Sequence, residues 1–289
     1  MLRHPSVLPI KYNMAKKYYN HHLVEFPTEF EELRPEEWQY LLLLRFRLSH
    51  LKGVTLEDVN REFARFVLWN RGIRGRDSLR YLVLIEQMAD TLGWAWSVNA
   101  ETHEVSLNFT STVNLLPEID GLAGPASHGA DLTFGEFRTC TVLMNAYTQT
   151  HDETHLRTLA GALYRPVNGS RREKFDAEQM RHYAERMQDI PAYLLWGVYA
   201  WFASFCSYLQ TGVFIIDDTE VSFEPLFRRG NKSDDSPSLG LNSILYSVAE
   251  SQVFGTAAEV EETQLMRVFL KLLDDKYKAD ALLSSVKTR

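Results

Sequence analysis

The chain has 289 residues, of which 45% are hydrophobic, 12% aromatic and 24% charged. This composition is typical of a folded domain and excludes wholesale disorder. The formal net charge of −7 disfavours a dedicated nucleic-acid-binding protein, because such proteins carry a basic excess that neutralises phosphates.

Residues 1–24 differ in charge from the rest of the chain. They contain four basic side chains and no carboxylate, and three tyrosines lie among them. Aromatic anchors beside basic charges suit docking on a partner protein. A phosphate backbone as the partner and a solvated terminus are the alternatives for this segment. We predict a basic N-terminal arm whose partner-binding residues are Lys11, Tyr12, Lys16, Lys17, Tyr18 and Tyr19.

Residues 25–115 predict a helical subdomain that ends in a β-hairpin. Pro35 with two following glutamates is typical of a first helical turn, and Thr55 with Asp58 resembles a capping box. These signals and the spacing of apolar residues predict three helices, over residues 35–50, 55–72 and 77–92.

The hydrophobic period changes after the third helix. Val105, Leu107 and Phe109 alternate with polar residues, which predicts a half-buried strand that pairs with residues 94–98. Residues 111–132 are rich in proline, glycine and small side chains and predict a connecting loop. We place the boundary between two packed subdomains in this loop.

Residues 116–289 predict a helical bundle subdomain. An exposed loop is expected near residues 228–240, where glycine, serine, aspartate and lysine are frequent. Residues 213–216 and 221–223 predict a second small hairpin. Capping signals and apolar spacing predict helices that begin near Thr133, Asp152, Asp176, Pro191, Leu241 and Thr256.

The segment Ile190–Ile216 contains no charged residue and is long enough to span a bilayer. Acidic flanks at Asp189 and Asp217, together with polar residues inside the segment, favour a buried helix followed by a strand. The helix that begins at Pro191 is apolar nearly all round. We therefore expect it inside the bundle, and we expect no membrane association.

Motifs for common catalytic and cofactor sites are absent from the sequence. It contains neither a phosphate-binding glycine loop nor a Gly-x-Ser-x-Gly nucleophile elbow. Cys140 and Cys206 lie in apolar helical stretches, so we expect buried thiols in a reducing compartment rather than zinc ligands. The sequence predicts no cofactor.

The stretch from His151 to His155 is the strongest metal-binding hint, because histidines four apart on a helix can face one cation. A zinc-protease helix needs glutamate directly after the first histidine, but Asp152 stands there. As the N-cap of its helix, Asp152 leaves His151 outside that helix. We predict no metal site, and a metal-dependent hydrolase that uses His151 and His155 is kept as an alternative.

The densest basic loop of the folded region surrounds the turn at Asn168 and Gly169. Its cations suit a partner's carboxylates or a phosphate. A solvated loop is the alternative interpretation. We predict partner contacts there by Arg165, Arg171 and Arg172.

Three stretches carry a resemblance to a known group of proteins: Gly124-Pro125 through Leu132–Phe137, Leu159–Pro166 and Ala249–Gly255. They resemble uncharacterised proteins encoded among the structural genes of tailed phages and prophages, and the resemblance covers residues 115–270. It implies a virion, tail or tail-assembly component and supplies no catalytic residue.

The sequence thus predicts a mainly α protein, a multi-helix bundle with one or two small β-hairpins. The expected function is that of a non-catalytic, phage-derived structural or tail-assembly protein acting by protein–protein interaction, in the host cytoplasm or in the virion. Its expected partners are other protein subunits, a second copy of the chain among them, while nucleic acid and membranes are disfavoured. A nucleic-acid-binding accessory protein that uses the basic arm is a further alternative.

Overall fold

The structure is a computed structural model that describes residues 15–19, 22–75, 78–169, 171–227 and 241–287. α-Helices make up most of this part of the chain. Its strands form five two-stranded antiparallel ladders. The prediction of a mainly α protein with small hairpins is confirmed, although the described residues form more ladders than the one or two expected.

Within the described residues, the first half of the chain contains three α-helices and two hairpins. All three predicted helices are confirmed, and Thr55 forms the predicted capping box with Asp58. The predicted strand pairing after the third helix is also confirmed. The elements are β1 (Ala15–Tyr19), β2 (His22–Phe26), α1 (Pro35–His50), α2 (Leu56–Asn70), α3 (Leu79–Ala89), β3 (Trp96–Val98) and β4 (Val105–Leu107).

The hairpin of β1 and β2 falls where the sequence predicts an arm. β1 pairs with β2 along its whole length. The proposed arm boundary at residue 24 therefore lies inside a strand, and Val24 and Phe26 of β2 are buried in the core. The alternation of apolar and polar residues in β2 is too short to be separated from a loop by sequence alone.

The second half of the chain contains eight helices and three short ladders within the described residues. The predicted helix starts at Thr133, Asp152, Asp176 and Thr256 are confirmed as N-caps. The elements are β5 (Glu118–Ile119), β6 (Leu122–Ala123), α4 (Phe134–Thr150), α5 (Glu153–Leu163), β7 (Val167–Asn168), β8 (Arg171–Arg172), α6 (Ala177–Arg186), α7 (Ala192–Thr211), β9 (Val213–Ile216), β10 (Thr219–Ser222), α8 (Glu224–Phe227), α9 (Leu241–Glu250), α10 (Ala257–Glu262) and α11 (Leu265–Lys287).

Helix α7 lies at the centre of the molecule, as its apolar sequence predicts. It contacts α1, α4, α5 and α8, and its residues Leu195, Phe202 and Phe205 are fully buried. No helix within the described ranges is long and apolar enough to cross a bilayer.

The connection over residues 111–132 is more ordered than the predicted loop. The Trp201 indole of α7 donates a hydrogen bond to the Thr112 carbonyl at 3.0 Å, and the Tyr164 hydroxyl donates to the Leu116 carbonyl at 2.7 Å. Leu116 itself is buried. One continuous hydrophobic core includes residues from both halves of the chain and from this connection.

The prediction of one helix beginning near Thr256 is wrong in its extent, because the chain forms two helices there. The predicted capping box of Thr256 and Glu259 is present. Thr263, however, is extended, with φ −72° and ψ 140°, and its carbonyl accepts a hydrogen bond from Phe134 N at 2.9 Å. Leu265 N donates to the Leu132 carbonyl at 2.9 Å. These bonds to the start of α4 interrupt the helix between α10 and α11.

Candidate functional site

Two arginines predicted to contact a partner are buried inside the protein. The side chains of Arg165 and Arg172 are only 4% and 5% exposed. Nη1 of Arg165 donates to Oε1 of Glu136 at 2.9 Å, and Nη1 of Arg172 donates to the same oxygen at 2.8 Å. Glu136 lies in the first turn of α4 and is fully buried.

Further contacts complete this cluster of ion pairs. Nε of Arg172 donates to the Asp131 carboxylate at 2.8 Å, and Nε of Arg165 donates to the Glu173 carbonyl at 2.9 Å. Burial alone lowers the pKa of Arg172, but the Glu136 and Asp131 carboxylates together raise it above its usual value. The cluster therefore holds charged groups in fixed places inside the fold.

The predicted partner contacts of Arg165 and Arg172 are consequently wrong. The short ladder of β7 and β8 folds back on the N-terminus of α4, and this return brings both guanidiniums to Glu136. Arg171 is exposed, so its contact with a partner stays a prediction.

The two histidines of the metal-binding hint belong to different helices. His151 ends α4 in a left-handed conformation with φ 54°, while Asp152 caps α5 by accepting a hydrogen bond from Thr154 N at 2.8 Å. No group of three or more His, Cys, Asp or Glu side chains among the described residues is arranged to hold a metal ion. Cys140 and Cys206 are buried as predicted, and burial raises the pKa of both thiols, that of Cys206 to about 12.

The predicted arm residues are placed only in part. Lys16, Lys17, Tyr18 and Tyr19 lie in β1, where Lys16 is opposite Glu25 of β2. Lys11 and Tyr12 lie outside the described residues. Docking of a partner on this arm stays a prediction.

A groove between α2 and the start of α3 was not expected from the sequence. It measures about 700 Å³ and is lined by Tyr40, Asp58, Arg61, Glu62, Arg65, Phe66, Trp69, Arg74, Gly75 and Tyr81. The rings of Tyr40 and Phe66 stack at 4.0 Å with planes 15° apart. Trp69 follows Phe66 along α2 at 6.2 Å, and it is 54% exposed. The groove therefore has an aromatic wall that is open to solvent.

The acidic residues of the groove are already paired. The Tyr40 hydroxyl donates to Glu62 at 2.5 Å, and the Arg47 guanidinium donates to the same carboxylate oxygen at 2.9 Å. Burial, followed by this bond to Glu62, raises the pKa of Tyr40 to about 12, so Tyr40 remains a donor at neutral pH. Arg61 pairs with Glu86 at 2.9 Å and lies near Asp58.

Two cations of the groove remain after these pairs are formed. Arg65 and Arg74 form no ion pair with any other residue in the part of the chain that the structure describes. The Arg74 guanidinium lies 5.7 Å from the centre of the Trp69 ring. The groove thus combines an exposed aromatic wall with an excess of positive charge.

The spacing along α2 contains a signal for this groove. The buried stripe of α2 is formed by Val59, Phe63 and Val67, whereas Trp69 lies off that stripe. Trp69 lies beside Phe66, and a contiguous apolar patch open to solvent is the kind of feature that marks a binding surface. The sequence alone does not show that Arg74 lies beside Trp69.

The outer half of α11 forms a second exposed surface. Val268, Phe269 and Leu273 of the inner half are buried, but every side chain from Tyr277 to Ser285 is exposed. Leu282 and Leu283 are 68% and 62% exposed. Three ion pairs between residues four apart stabilise the helix from residue 271 to residue 280: Lys271–Asp275, Lys276–Asp280 and Lys278–Asp274.

Comparison of the chain with protein-family models, with curated proteins and with solved structures finds no match.

Proposed function

We propose that the protein is a non-catalytic structural or assembly component of a phage-derived particle and acts by contact with other protein subunits. The host cytoplasm and the virion are the compartments that this role implies. The resemblance of three sequence stretches to phage and prophage structural proteins supports the proposal. The observation that carries it is the outer half of α11, a helix with exposed leucines and no covering element among the described residues.

The partner that best suits this surface is a second copy of the chain. The outer half of α11 is exposed from Tyr277 to Ser285, and a helical segment as short as this is marginal in water by itself, so contact with another surface would stabilise it. With 3.6 residues per turn, the side of α11 that contains Leu272 continues toward the end of the helix through Ala279, Leu282 and Leu283. Burial of each exposed leucine in an interface contributes about 1.5–3 kcal/mol.

The charges of α11 are compatible with pairing of two copies. Asp274, Asp275 and Asp280 are each matched by a lysine of the same helix, one turn away. Two such helices therefore approach each other without a large net repulsion. Closed pairs of identical subunits are also the commonest form of oligomer.

The test is the oligomeric state of the full chain, measured by sedimentation velocity over a range of concentrations. We expect the wild type to associate, and we expect the double variant Leu282→Ser with Leu283→Ser to be a monomer that still unfolds cooperatively. Val142→Ser is the matched control, because Val142 is 63% exposed on α4, outside this surface. A wild type that remains monomeric at the highest concentration, or equal association of all three proteins, would contradict the proposal.

A further inference from the structure

We propose that Trp69 and Arg74 form a clamp that binds the base of a nucleotide, either free or as one unit of a single strand. The proposal concerns the groove between α2 and α3 and is independent of self-association through α11. Its basis is the separation between the two side chains, their exposure and the cations beside them.

Trp69 and Arg74 are farther apart than the two side chains of a close cation–π pair. Such a close pair occurs elsewhere in the chain, where the Arg45 guanidinium lies 3.5 Å from the centre of the Trp196 ring. The corresponding distance from Arg74 to Trp69 is 5.7 Å. A flat ring held in contact on both faces needs about 7 Å between its neighbours, since optimal contacts are about 3.5 Å.

A small movement of Arg74 is enough to provide this space. Arg74 is exposed, and it follows Gly72, which has φ 81° and open space around its Cα. This segment joins α2 to α3. The guanidinium can therefore move outward by about 1 Å without disturbing the buried core, and a base would enter between it and the indole.

The chemistry on both sides of this space favours a nucleobase. An indole face stacks on any base, and a guanidinium stacks on the opposite face while supplying positive charge. Arg65 lies one turn before Trp69 on the same side of α2, within reach of a phosphate attached to the stacked base. Glu62 does not repel that phosphate strongly, because Arg47 and Tyr40 hold its carboxylate.

An acidic peptide with an aromatic side chain is a less suitable ligand. Most of the groove lining lies on α1, α2 and α3, whose backbone groups are bonded within each helix, and no strand edge lines it for pairing with a peptide backbone. A nucleotide needs only the two stacking faces and a cation for its phosphate. The acidic character of the whole chain favours short ligands over long strands.

The experiment measures binding of three probes to the full chain by isothermal titration calorimetry: AMP, a single-stranded oligodeoxyadenylate and ribose 5-phosphate. We expect AMP to bind and ribose 5-phosphate, which lacks the base, to bind at least about tenfold more weakly. Trp69→Leu keeps an apolar side chain but removes the flat ring, and Arg74→Ala removes the opposite face. Each variant should weaken AMP binding by about tenfold.

The control variant is Arg80→Ala, which removes the same charge as Arg74→Ala from a neighbouring exposed position outside the groove. It should leave AMP binding within about twofold of the wild type, because distant surface charges are screened by salt. Melting curves of all variants should coincide, since the three side chains are exposed. The double variant Leu282→Ser with Leu283→Ser should bind AMP normally, which separates this proposal from the self-association proposal.

The outcomes distinguish the two sources of the nucleotide. If the oligonucleotide binds no more tightly per nucleotide than AMP does, the ligand is a free nucleotide. Tighter and salt-dependent binding of the oligonucleotide indicates that the ligand is a single strand. Either result supports the clamp. Absence of binding by AMP and by the oligonucleotide, or unaltered binding in Trp69→Leu, would overturn it.

Discussion

Glu37 of α1 and Glu136 of α4 occupy the same position in the two halves of the protein. Each is the third residue of its helix, where its carboxylate accepts a hydrogen bond from the backbone N–H of the N-cap residue. Each is fully buried, and each is paired with an arginine from a later segment of the chain. In both halves, the glutamate that caps a helix also binds an arginine from a later segment that folds back onto that helix.

The two sites differ in how their charge is balanced. Glu37 binds one arginine in a bidentate pair, with both Arg71 contacts at 2.9 Å. Arg71 also donates to the carbonyls of Glu25 and Glu32, at 2.9 and 3.0 Å. Glu136 instead shares one oxygen between Arg165 and Arg172. Loss of the Glu136 charge therefore removes a carboxylate partner from two buried arginines, of which Arg172 keeps Asp131, whereas loss of the Glu37 charge removes it from one.

The largest expected effect is that of Glu136→Gln. The substitution preserves the shape of the side chain but leaves Arg165 without its carboxylate, so we expect the free energy of unfolding to fall by about 3–5 kcal/mol. Urea denaturation followed by circular dichroism measures this change. The control is Glu153→Gln, which removes an exposed carboxylate paired with Arg157 and should cost no more than about 0.5 kcal/mol.

A smaller effect is expected for Glu37→Gln, about 3 kcal/mol by the same measurement. One arginine, Arg71, loses its carboxylate partner there, and its side chain is 13% exposed, compared with 4% for Arg165. The double variant Glu37→Gln with Arg71→Met should recover part of the loss, because no buried cation remains. If Glu37→Gln were more damaging than Glu136→Gln, the explanation by the number of arginines that lose a carboxylate partner would be wrong.

The smallest expected changes in the free energy of unfolding are those of substitutions at the adjacent residues Arg172 and Arg171. Arg172→Ala removes a side chain with bonds to Glu136 and Asp131 and should lower the free energy of unfolding by about 2 kcal/mol. Arg171→Ala removes an exposed side chain and should change it by less than about 0.5 kcal/mol. Equal effects of the two substitutions would show that the burial of Arg172 does not contribute to stability.

The parts of the fold that could be predicted are those encoded by near neighbours. A capping box joins residues three apart, so Thr55 with Asp58 and Thr133 with Glu136 are visible in the sequence. The apolar character of α7 likewise predicts its central place. Such signals need no knowledge of the rest of the chain.

The parts that could not be predicted depend on residues far apart in sequence. Arg165 and Arg172 reach a carboxylate 29 and 36 residues away, and a cluster of arginines near an Asn-Gly turn is otherwise typical of an exposed loop. The interruption between α10 and α11 is set by bonds to the start of α4, with no proline or glycine to mark it. The groove depends on the return of Arg74 to Trp69 after the turn at Gly72.

The measurement that tests self-association most directly is the distance between copies in solution. A spin label on Ala279→Cys lies in the middle of the exposed stripe of α11, while Cys140 and Cys206 are buried with raised thiol pKa values and should not react with the label. Electron–electron double resonance on the full chain should give a defined distance between labels on two copies. A label on Val142→Cys should give none at that distance. Absence of coupling at Ala279, or the same coupling from both sites, would contradict assembly through α11.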